Sequence, residues 1–350
     1  MKKTIFSVMV CIALTAVILG SCEKPKSAAP AAPAAPAAAP APAAAPAAPA
    51  PAAAPATPAG STQLSIGTAT MGGAYYPFGQ AIANLVTKYS GGMQMTPEVT
   101  GGAVENCRLV IKGDVDIGIT NENHAYAAVK GLEPFVNAKG DLNVVARLYP
   151  SVFHIMVPES SPINSITDLK GKRLAVGPAG GGTLAPLEAI FKAYGMKITD
   201  IVPSYLAFND GFTQLADGNV DAALQLSGYP AAAIMEYTAT KPVKFVNVGD
   251  DKFDSILKEN PYFTKVTVPA SAYKTKKDGI TIGIANVLIV RPDAKEDVVY
   301  AITACMFDHI DEFRAANANA KDVDIKTAAN ASIPIHPGAL KYYREKKVIQ

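Results

Sequence analysis

The sequence has little net charge of either sign. Its 350 residues include 32 lysines and arginines and 30 aspartates and glutamates, a formal net charge of +2. Lys2 and Lys3 lie in an N-terminal segment without acidic residues, so the remaining chain is neutral overall. A protein that binds nucleic acid through a broad basic face needs a clear excess of lysine and arginine. The composition therefore excludes that class, and we expect no nucleic-acid partner.

The sequence also lacks the motifs of common catalytic and metal sites. Its four histidines, His124, His154, His309 and His336, are scattered, and neither His-Glu-x-x-His nor Cys-x-x-Cys occurs. Ser227 lacks the flanking glycine pattern of the hydrolase nucleophile motif. We therefore expect neither an enzyme nor a metal or other cofactor, although spacing alone leaves a triad of distant residues open.

Cysteine is scarce as well, and only two of the four cysteines fall in the part that we expect to be globular. Cys107 and Cys305 lie in apolar patterns with helical spacing, typical of buried thiols that pack as small hydrophobic side chains. A disulfide between them is the alternative in an oxidising compartment.

An N-terminal apolar run marks the chain for export. Two lysines precede the run from Ile5 to Leu19, and small residues follow it. This pattern predicts a secretory signal peptide over residues 1–21, since a transmembrane helix needs about 20 apolar residues. The four residues that end at Cys22 match the bacterial lipobox and predict lipidation of that cysteine. Several acyl chains would hold the protein on a membrane surface; the alternative is an ordinary signal peptide with an incidental cysteine.

A low-complexity segment follows the predicted anchor. Residues 28–59 are alanine and proline apart from Thr57, with ten prolines in 32 residues. This proline content prevents a regular helix, and without large apolar side chains the segment cannot build a core. We therefore expect residues 22–61 to be a disordered tether that reaches roughly 100 Å, because Pro-rich linkers extend by about 3.1 Å per residue.

Strand and helix patterns alternate through the rest of the chain, which is typical of an α/β fold. The predicted strands are Leu64–Thr68, Asp116–Thr120, Val144–Leu148, Arg173–Gly177, Asp221–Leu226 and Ile280–Val290. The predicted helices are Pro77–Tyr89, Leu184–Tyr194 and Val298–Phe313.

Two pairs of related patterns indicate two similar lobes. A strand, a glycine-containing loop and a helix occur at residues 65–89 and again at residues 175–194. Gly-Asp-Val-Asp at 113–116 and Gly-Asn-Val-Asp at 218–221 form the second pair, each before an apolar strand. Two lobes imply a cleft, and binding sites favour such interfaces and the carboxyl ends of strands.

The glycine-containing loops are the candidate binding elements. Glycine lets the backbone approach a ligand closely, and the following helix N-terminus offers free N–H groups to an anion. Neither loop has the Lys-Ser or Lys-Thr pair of a nucleotide-binding P-loop. A tight strand–helix turn is the alternative for each loop, but two related loops favour an anion site. The candidate ligand-binding residues are Thr70, Gly72, Gly73, Tyr75, Tyr76, Gly102, Asn106, Asn121, Arg147, Gly180, Gly181, Gly182, Thr183, Gln225, Ser227 and Gly228.

The side chains in this set have different expected roles. The two tyrosines are expected to pack against the ligand, and the two asparagines, Gln225 and Ser227 to bind its polar groups. Arg147 is expected to pair with a ligand carboxylate; an exposed surface ion pair is the alternative.

Several motifs occur in order along residues 62–348. They are Gly72-Gly73-Ala74-Tyr75-Tyr76-Pro77-Phe78-Gly79, Gly101-Gly102-Ala103-Val104-Glu105-Asn106, Asp168-Leu169-Lys170-Gly171-Lys172, Gly180-Gly181-Gly182-Thr183 and Ile335-His336-Pro337-Gly338-Ala339. This series resembles the TAXI family of TRAP-transporter solute receptors. The resemblance implies a two-lobed, type II periplasmic-binding-protein-like fold with a hinge and a ligand cleft between the lobes. It also implies a small carboxylate ligand, such as glutamate or 2-oxoglutarate, and an ion-driven membrane permease as partner.

The expected organisation is a signal peptide (1–21), a lipidated tether (22–61), lobe 1 (62–152 plus 279–350) and lobe 2 (153–278). We expect a monomeric receptor in the cell envelope, lipid-anchored on the extracytoplasmic side of a bacterial membrane. The alternatives are a surface lipoprotein that acts as a ligand sensor or host-contact antigen, and a periplasmic enzyme that acts on a small anion.

Overall fold

The computed structural model describes residues 61–350. The predicted signal peptide, Cys22 and the predicted tether as far as Gly60 lie outside the described residues. No helix between residues 61 and 350 combines the length and the apolar character needed to cross a membrane.

Strands and helices alternate along this range. The strands are β1 (Thr62–Gly67), β2 (Met93–Glu98), β3 (Ile117–Asn121), β4 (Asn143–Pro158), β5 (Arg173–Ala175), β6 (Val202–Ser204), β7 (Ala222–Ser227), β8 (Val243–Phe245), β9 (Phe263–Val268) and β10 (Gly279–Val290). The helices are α1 (Tyr75–Tyr89), α2 (Ala103–Lys112), α3 (Glu122–Lys130), α4 (Leu184–Ala193), α5 (Phe208–Ala216), α6 (Ala232–Thr238), α7 (Phe253–Glu259), α8 (Glu296–Asp308), α9 (Ile310–Ala316), α10 (Ile325–Ala328) and α11 (Pro337–Glu345).

Local sequence explains the helices that border the cleft. α1 buries Phe78, Ile82 and Leu85, whose spacing puts them on one helical face. α2 follows Gly102, which has φ of +114°, and ends at Gly113, which has φ of +80°. Glycine adopts such positive φ angles without the steric cost that a β-carbon would add.

Eight of the strands form one sheet in the order β2-β1-β3-β10-β4-β7-β5-β6, and β8 and β9 join it by pairing with β4 and β10. β1, β2 and β3 are parallel, as are β5, β6 and β7. β10 runs antiparallel to β3, and β4 runs antiparallel to β7. β4 and β10 pair with each other along most of their length, so they connect the two parallel groups.

Each parallel group has its own hydrophobic cores, one on either face of the sheet. In the first half, α1, α8 and α11 cover one face, and α2 and α3 cover the other. In the second half, α4 and α7 cover one face, and α5 and α6 cover the other. The prediction of an α/β fold with two lobes is therefore confirmed.

The two long strands carry residues of both halves. Along β4, Tyr149 packs in the first half and Phe153 in the second. Along β10, Ile284 packs in the second half and Leu288 in the first. The bounds predicted for the lobes, 62–152 plus 279–350 and 153–278, stay a prediction.

The predicted elements are present, with two differences in extent. β4 continues to Pro158, ten residues beyond the predicted end at Leu148, because it crosses into the second half. The single helix predicted over Val298–Phe313 is wrong at His309, whose φ of −116° and ψ of 33° separate α8 from α9.

Cys107 and Cys305 are both free and buried, as their apolar surroundings predict. Burial raises the pKa of Cys107 to about 12 and that of Cys305 to about 11. Both groups are therefore protonated thiols at neutral pH.

Candidate functional site

Loops at the carboxyl ends of the parallel strands meet between the two halves. The loops after β1 and β2 come from the first half, and those after β5 and β7 come from the second. They surround a cavity of about 20 Å³, which is room for a single water molecule. The cavity is lined by Ala69, Gly73, Ala74, Tyr75, Gly101, Gly102, Ala103, Asn121, Gly181, Gly182, Phe208 and Leu226.

On one side of this cavity the two halves are hydrogen-bonded through backbone groups, and the Glu105 carboxylate lies beside them, accepting from the Gly101 N–H at 2.6 Å. The N–H groups of Val104 and Glu105, in the first turn of α2, both donate to the carbonyl oxygen of Gly180 at 3.1 Å. Such N–H groups have no partner within their own helix, so the second half supplies one. A β-carbon on Gly101 would collide with Oε2 of Glu105 and lie 3.0 Å from the Cα of Gly180, so a larger residue would push these groups apart. We call these four residues the backbone edge.

On the other side the halves meet through side chains of the second half. The carbonyl oxygen of Gly72 accepts from Nε2 of Gln225 at 2.9 Å and from the N–H of Ala233 at 3.3 Å. The N–H of Ala74, which precedes α1, donates to the hydroxyl of Ser227 at 3.0 Å. Gly72 has φ of +88°, which favours glycine. We call these five residues the side-chain edge.

A buried asparagine on β10 holds two side chains that line the cavity. The side-chain oxygen of Asn286 accepts from the Tyr75 hydroxyl at 2.7 Å and from the Asn121 amide at 2.8 Å. The Ser151 hydroxyl donates to the same oxygen at 3.0 Å, and the Asn286 amide donates to the Tyr149 carbonyl at 2.8 Å. Burial raises the pKa of Tyr75, so its hydroxyl stays protonated and can donate. Asn286 was not predicted, although it is a polar residue in an otherwise apolar run.

Asn106 is occupied by the loops of the first half. Its amide donates to the carbonyl oxygens of Thr68 and Ile119, both at 2.7 Å, and to that of Gly67 at 3.2 Å. Its side-chain oxygen accepts from the Thr100 hydroxyl at 2.7 Å. In this arrangement Asn106 fixes α2 against the ends of β1 and β3. Its predicted contact with a ligand stays a prediction.

The other predicted site residues fall into three groups. The cavity lining includes Gly73, Tyr75, Gly102, Asn121, Gly181 and Gly182. The contacts between the halves include Gly72, Gly180, Gln225 and Ser227. Outside the lining are Thr70, Tyr76, Arg147, Thr183 and Gly228.

Local contacts account for three members of this last group. The Thr183 hydroxyl donates to the carbonyl of Val176 within its own loop. The Arg147 guanidinium donates to the carbonyl of Asn330 at 3.4 Å. A β-carbon on Gly228 would lie 3.0 Å from the Tyr149 ring.

Several buried polar atoms near the cleft have no hydrogen-bond partner among residues 61–350. Three of them belong to Thr70, Asn209 and Gln225, which lie in or against the loop that contains Gly72. Leaving a buried polar group unpaired costs about 1–3 kcal/mol. The side-chain edge therefore closes with unsatisfied groups.

Two buried histidines are neutral at pH 7. Burial lowers the pKa of His124, on α3, to about 4, and a backbone contact with Gly182 opposes this shift in part. Burial also lowers the pKa of His154 to about 4. His154 is hydrogen-bonded to the Gln225 carbonyl at 3.2 Å and to the Tyr273 hydroxyl at 3.0 Å. Within the described range, no three His, Cys, Asp or Glu side chains are placed to hold a metal ion.

Comparison with known proteins finds a partial curated relative and distant structures. The chain is 37% identical over 87 residues to a protein of Escherichia coli (strain K12) that is named for binding aliphatic sulfonates. That match covers 25% of this chain and 27% of the relative, so the chain spans about a quarter of the relative's length.

Two of the solved structures found are sulfonate-binding proteins. The periplasmic aliphatic sulphonate binding protein from Escherichia coli has a TM-score of 0.42 and 16% identity, over 81% of this chain and 83% of that one. The alkanesulfonate-binding protein from Xanthomonas axonopodis pv. citri, bound to MOPS, has a TM-score of 0.46 and 15% identity, over 83% and 92%. The strand order and the hydrophobic cores establish the fold independently of these similarities.

The family match covers most of the described chain. It begins in β1, ends after α11 and includes both edges of the cleft. Because residues 66–346 match this family, the chain belongs to the NMT1-like family.

Proposed function

We propose that this chain is an extracytoplasmic solute receptor that binds a small organic anion between its two halves and delivers it to a membrane permease. The observation that carries the proposal is the pairing of helix N-terminal N–H groups with acceptors from the opposite half. Three such donors, on Ala74, Val104 and Glu105, bond to the opposite half beside a cavity of about 20 Å³.

The cavity size requires the halves to separate before a ligand enters. Ligand pockets have volumes of about 300–1,000 Å³, far more than this cavity provides. When the halves separate, the N–H groups of Val104 and Glu105 lose Gly180, and that of Ala74 loses Ser227. Free N–H groups at helix N-termini bind anions, because the helix dipole adds to their hydrogen bonds. A ligand anion would take the place of these protein acceptors.

We propose a carboxylate as the anion, either glutamate or a dicarboxylate such as 2-oxoglutarate. The support is the series of motifs that resembles the TAXI receptors, and the same resemblance supports a TRAP-type permease. The partial relative is named for binding sulfonates, which are also small organic anions. A carboxylate and a sulfonate would use the same N–H donors, so direct measurement has to separate them.

A thermal-shift screen with the purified protein tests the ligand class. The panel contains dicarboxylates, glutamate, sulfonates and phosphonates, with neutral sugars and amines as controls. A ligand at 100 times its Kd adds about 2.7 kcal/mol to the free energy of unfolding, so a carboxylate is expected to raise Tm by several degrees. Stabilisation by neutral sugars alone contradicts the proposal. Mass detection of the bound ligand is expected to recover it unchanged, as for a receptor without catalytic activity.

Uptake measurements test the permease. For a TRAP-type partner, an ionophore that dissipates the ion gradient is expected to abolish uptake of the bound ligand, while inhibition of ATP hydrolysis by vanadate leaves it intact. The reverse result indicates an ATP-driven transporter instead.

Lipid labelling tests the proposed anchor, which lies outside the described residues. Cys22→Ala is expected to abolish incorporation of labelled palmitate and to release the protein from membranes. Cys11→Ala is the matched control, because Cys11 lies within the predicted signal peptide. Labelled Cys22→Ala protein would contradict the anchor.

A further inference from the structure

A second, larger cavity continues outward from the cleft. Its volume is about 610 Å³, and it shares Gly181 with the small cavity. α2, α3 and the loop after α3 form its wall in the first half. α4 and the segment before β9 form its wall in the second half. We call this cavity the outer groove. Unlike the small cavity, it already has the volume of a ligand pocket before the two halves separate.

Two polar atoms in the wall of the outer groove lack partners. His124 is only 4% exposed, and its Nε2 has no hydrogen-bond partner in the part of the chain that the structure describes. Oδ1 of Asn123, the preceding residue, also has no hydrogen-bond partner among the described residues, although Asn123 itself is only half-buried. Buried polar groups in native proteins are nearly always paired, so each exception requires an explanation. A ligand group that donates hydrogen bonds would satisfy the Asn123 oxygen.

The outer groove also has unpaired negative charge. Glu133 and Glu188 line it, and neither forms an ion pair within residues 61–350. Both residues are exposed to solvent, and partial desolvation of Glu188 raises its pKa. The one cation in the lining is Arg108. Its guanidinium already donates to the Pro134 carbonyl at 2.9 Å and lies 5.5 Å from the centre of a phenylalanine ring.

An aromatic pair joins the two walls of the outer groove. Tyr126 of α3 and Tyr262, before β9, have ring centroids 5.4 Å apart. The ammonium of Lys130 lies 5.7 Å from the centroid of the Tyr126 ring, so that ring already contacts one cation. Aromatic faces attract cations through their quadrupole. Together with two unpaired carboxylates, the pair favours a positively charged ligand group over a neutral one.

We propose that the ligand is an amino-carboxylate whose anionic end binds at the cleft loops and whose ammonium group lies in the outer groove, near Glu133 and Glu188. This inference rests on the proposed function and specifies the ligand class of the same site. Asn121, the last residue of β3, lines the cleft cavity, and His124, in the first turn of α3, lines the groove, so the two sites are only three residues apart along the chain. A chain of several carbons between the two charged groups spans that separation.

Three probes of equal length test the proposal by calorimetry with the purified protein. Pimelate, 7-hydroxyheptanoate and 7-aminoheptanoate share a carboxylate end and differ in the charge of the other end. We expect 7-aminoheptanoate to bind at least tenfold more tightly than pimelate, with 7-hydroxyheptanoate between them. Equal or tighter binding of pimelate or of 7-hydroxyheptanoate overturns the inference.

Variants test whether the carboxylates of the outer groove cause the preference for an amine end. Glu133→Gln with Glu188→Gln is expected to reduce the ratio of amine to dicarboxylate affinity to less than threefold. Glu236→Gln, on α6 and outside the groove, is the matched control and is expected to leave the ratio unchanged. A preference that survives in the double variant overturns the assignment to the outer groove.

The short anion glutarate separates the two hypotheses. If glutarate binds and 7-aminoheptanoate does not, the inference is wrong and the proposed function stands. If neither glutarate nor any anion of the thermal-shift panel binds, both are wrong.

Discussion

The two edges of the cleft close in different ways. At the backbone edge, two N–H groups of α2 share the carbonyl of Gly180, and glycines allow the two loops to approach each other closely. At the side-chain edge, Gln225 and Ser227 reach the loop that contains Gly72, and three buried polar atoms there lack partners within the described chain.

The backbone edge depends on close approach of the main chain, whereas the side-chain edge depends on individual polar groups. Because the backbone edge consists of main-chain groups, substitution disturbs it mainly by adding bulk or charge. The side-chain edge can be dismantled group by group, and its unpaired atoms favour opening by about 1–3 kcal/mol each. We therefore expect the halves to separate first at the side-chain edge.

The largest effect is expected from Asn286→Ala, which removes the common acceptor of two side chains that line the cavity. The variant leaves buried donors of Tyr75, Asn121 and Ser151 without their common acceptor. We expect the free energy of unfolding to fall by about 3–5 kcal/mol in urea titrations. Asn164→Ala, at an exposed position, is the control. A loss below about 1 kcal/mol would show that solvent replaces the acceptor readily.

The next effect is expected from a charge added beside the backbone edge, at Gly181. A β-carbon on Gly181 would lie 2.9 Å from the Pro178 carbonyl oxygen and 3.5 Å from that of Gly101. Gly181→Asp therefore adds a carboxylate beside two carbonyl oxygens and the proposed anion. Binding of the best panel ligand is expected to weaken by 10- to 100-fold in calorimetry, since one lost charge-assisted hydrogen bond is worth about 1.5–3 kcal/mol.

Gly181→Asn is the matched control for this substitution, because it adds similar bulk at the same position without the charge. Undiminished affinity in folded Gly181→Asp protein would place the ligand elsewhere.

A smaller effect is expected from pH, and it differs between the two buried histidines. The pKa of each is about 4 in the folded protein, below the usual value of 6.5. The open and unfolded states therefore bind more protons, and the stabilisation of the closed form is lost as pH falls from 6.5 towards 4. Only His124 contacts the opposite half, through Gly182.

Ligand titrations at several pH values separate the two histidines. We expect affinity to fall by up to about tenfold between pH 7 and pH 5, and His124→Phe to flatten this dependence. His154→Phe is expected to change thermal stability at low pH while the pH dependence of affinity remains. The same flattening in both variants would show that the histidines report global stability alone.

The smallest effect is expected from paired and unpaired hydroxyls near the side-chain edge. Ser227→Ala leaves the Ala74 N–H without a partner, so Tm of the unliganded protein is expected to fall by about 2–4 °C. Thr70→Val replaces a hydroxyl that has no partner among residues 61–350, so Tm is expected to stay constant or rise slightly. Equal losses in both variants would mean that Thr70 is hydrogen-bonded to solvent.

The features that the sequence predicts well are those with local signals. Alternating apolar runs predict the strands, and the glycine-containing loops predict where the two halves meet. Glycine at positions 101 and 180 is informative because a β-carbon at either would collide with the other half. The break at His309 was missed because an amphipathic pattern continues through it.

The features that the sequence predicts poorly depend on contacts between residues that are distant along the chain. Asn286 meets Tyr75 across 211 residues and Asn121 across 165, and no local pattern pairs them. Phe208 and Leu226 line the cavity but are apolar residues like those of any core. The outer groove depends on the approach of α3 to the segment before β9, which only the folded chain shows.

The paths of β4 and β10 have a consequence for the order in which the chain can fold. The cores of the second half use residues up to Ile284, whereas a core of the first half also needs Tyr342 and Tyr343 of α11. As the polypeptide lengthens, the second half can therefore complete its cores first, while the first half waits for α11. A chain stalled before residue 337 would have a finished second half and an unfinished first half.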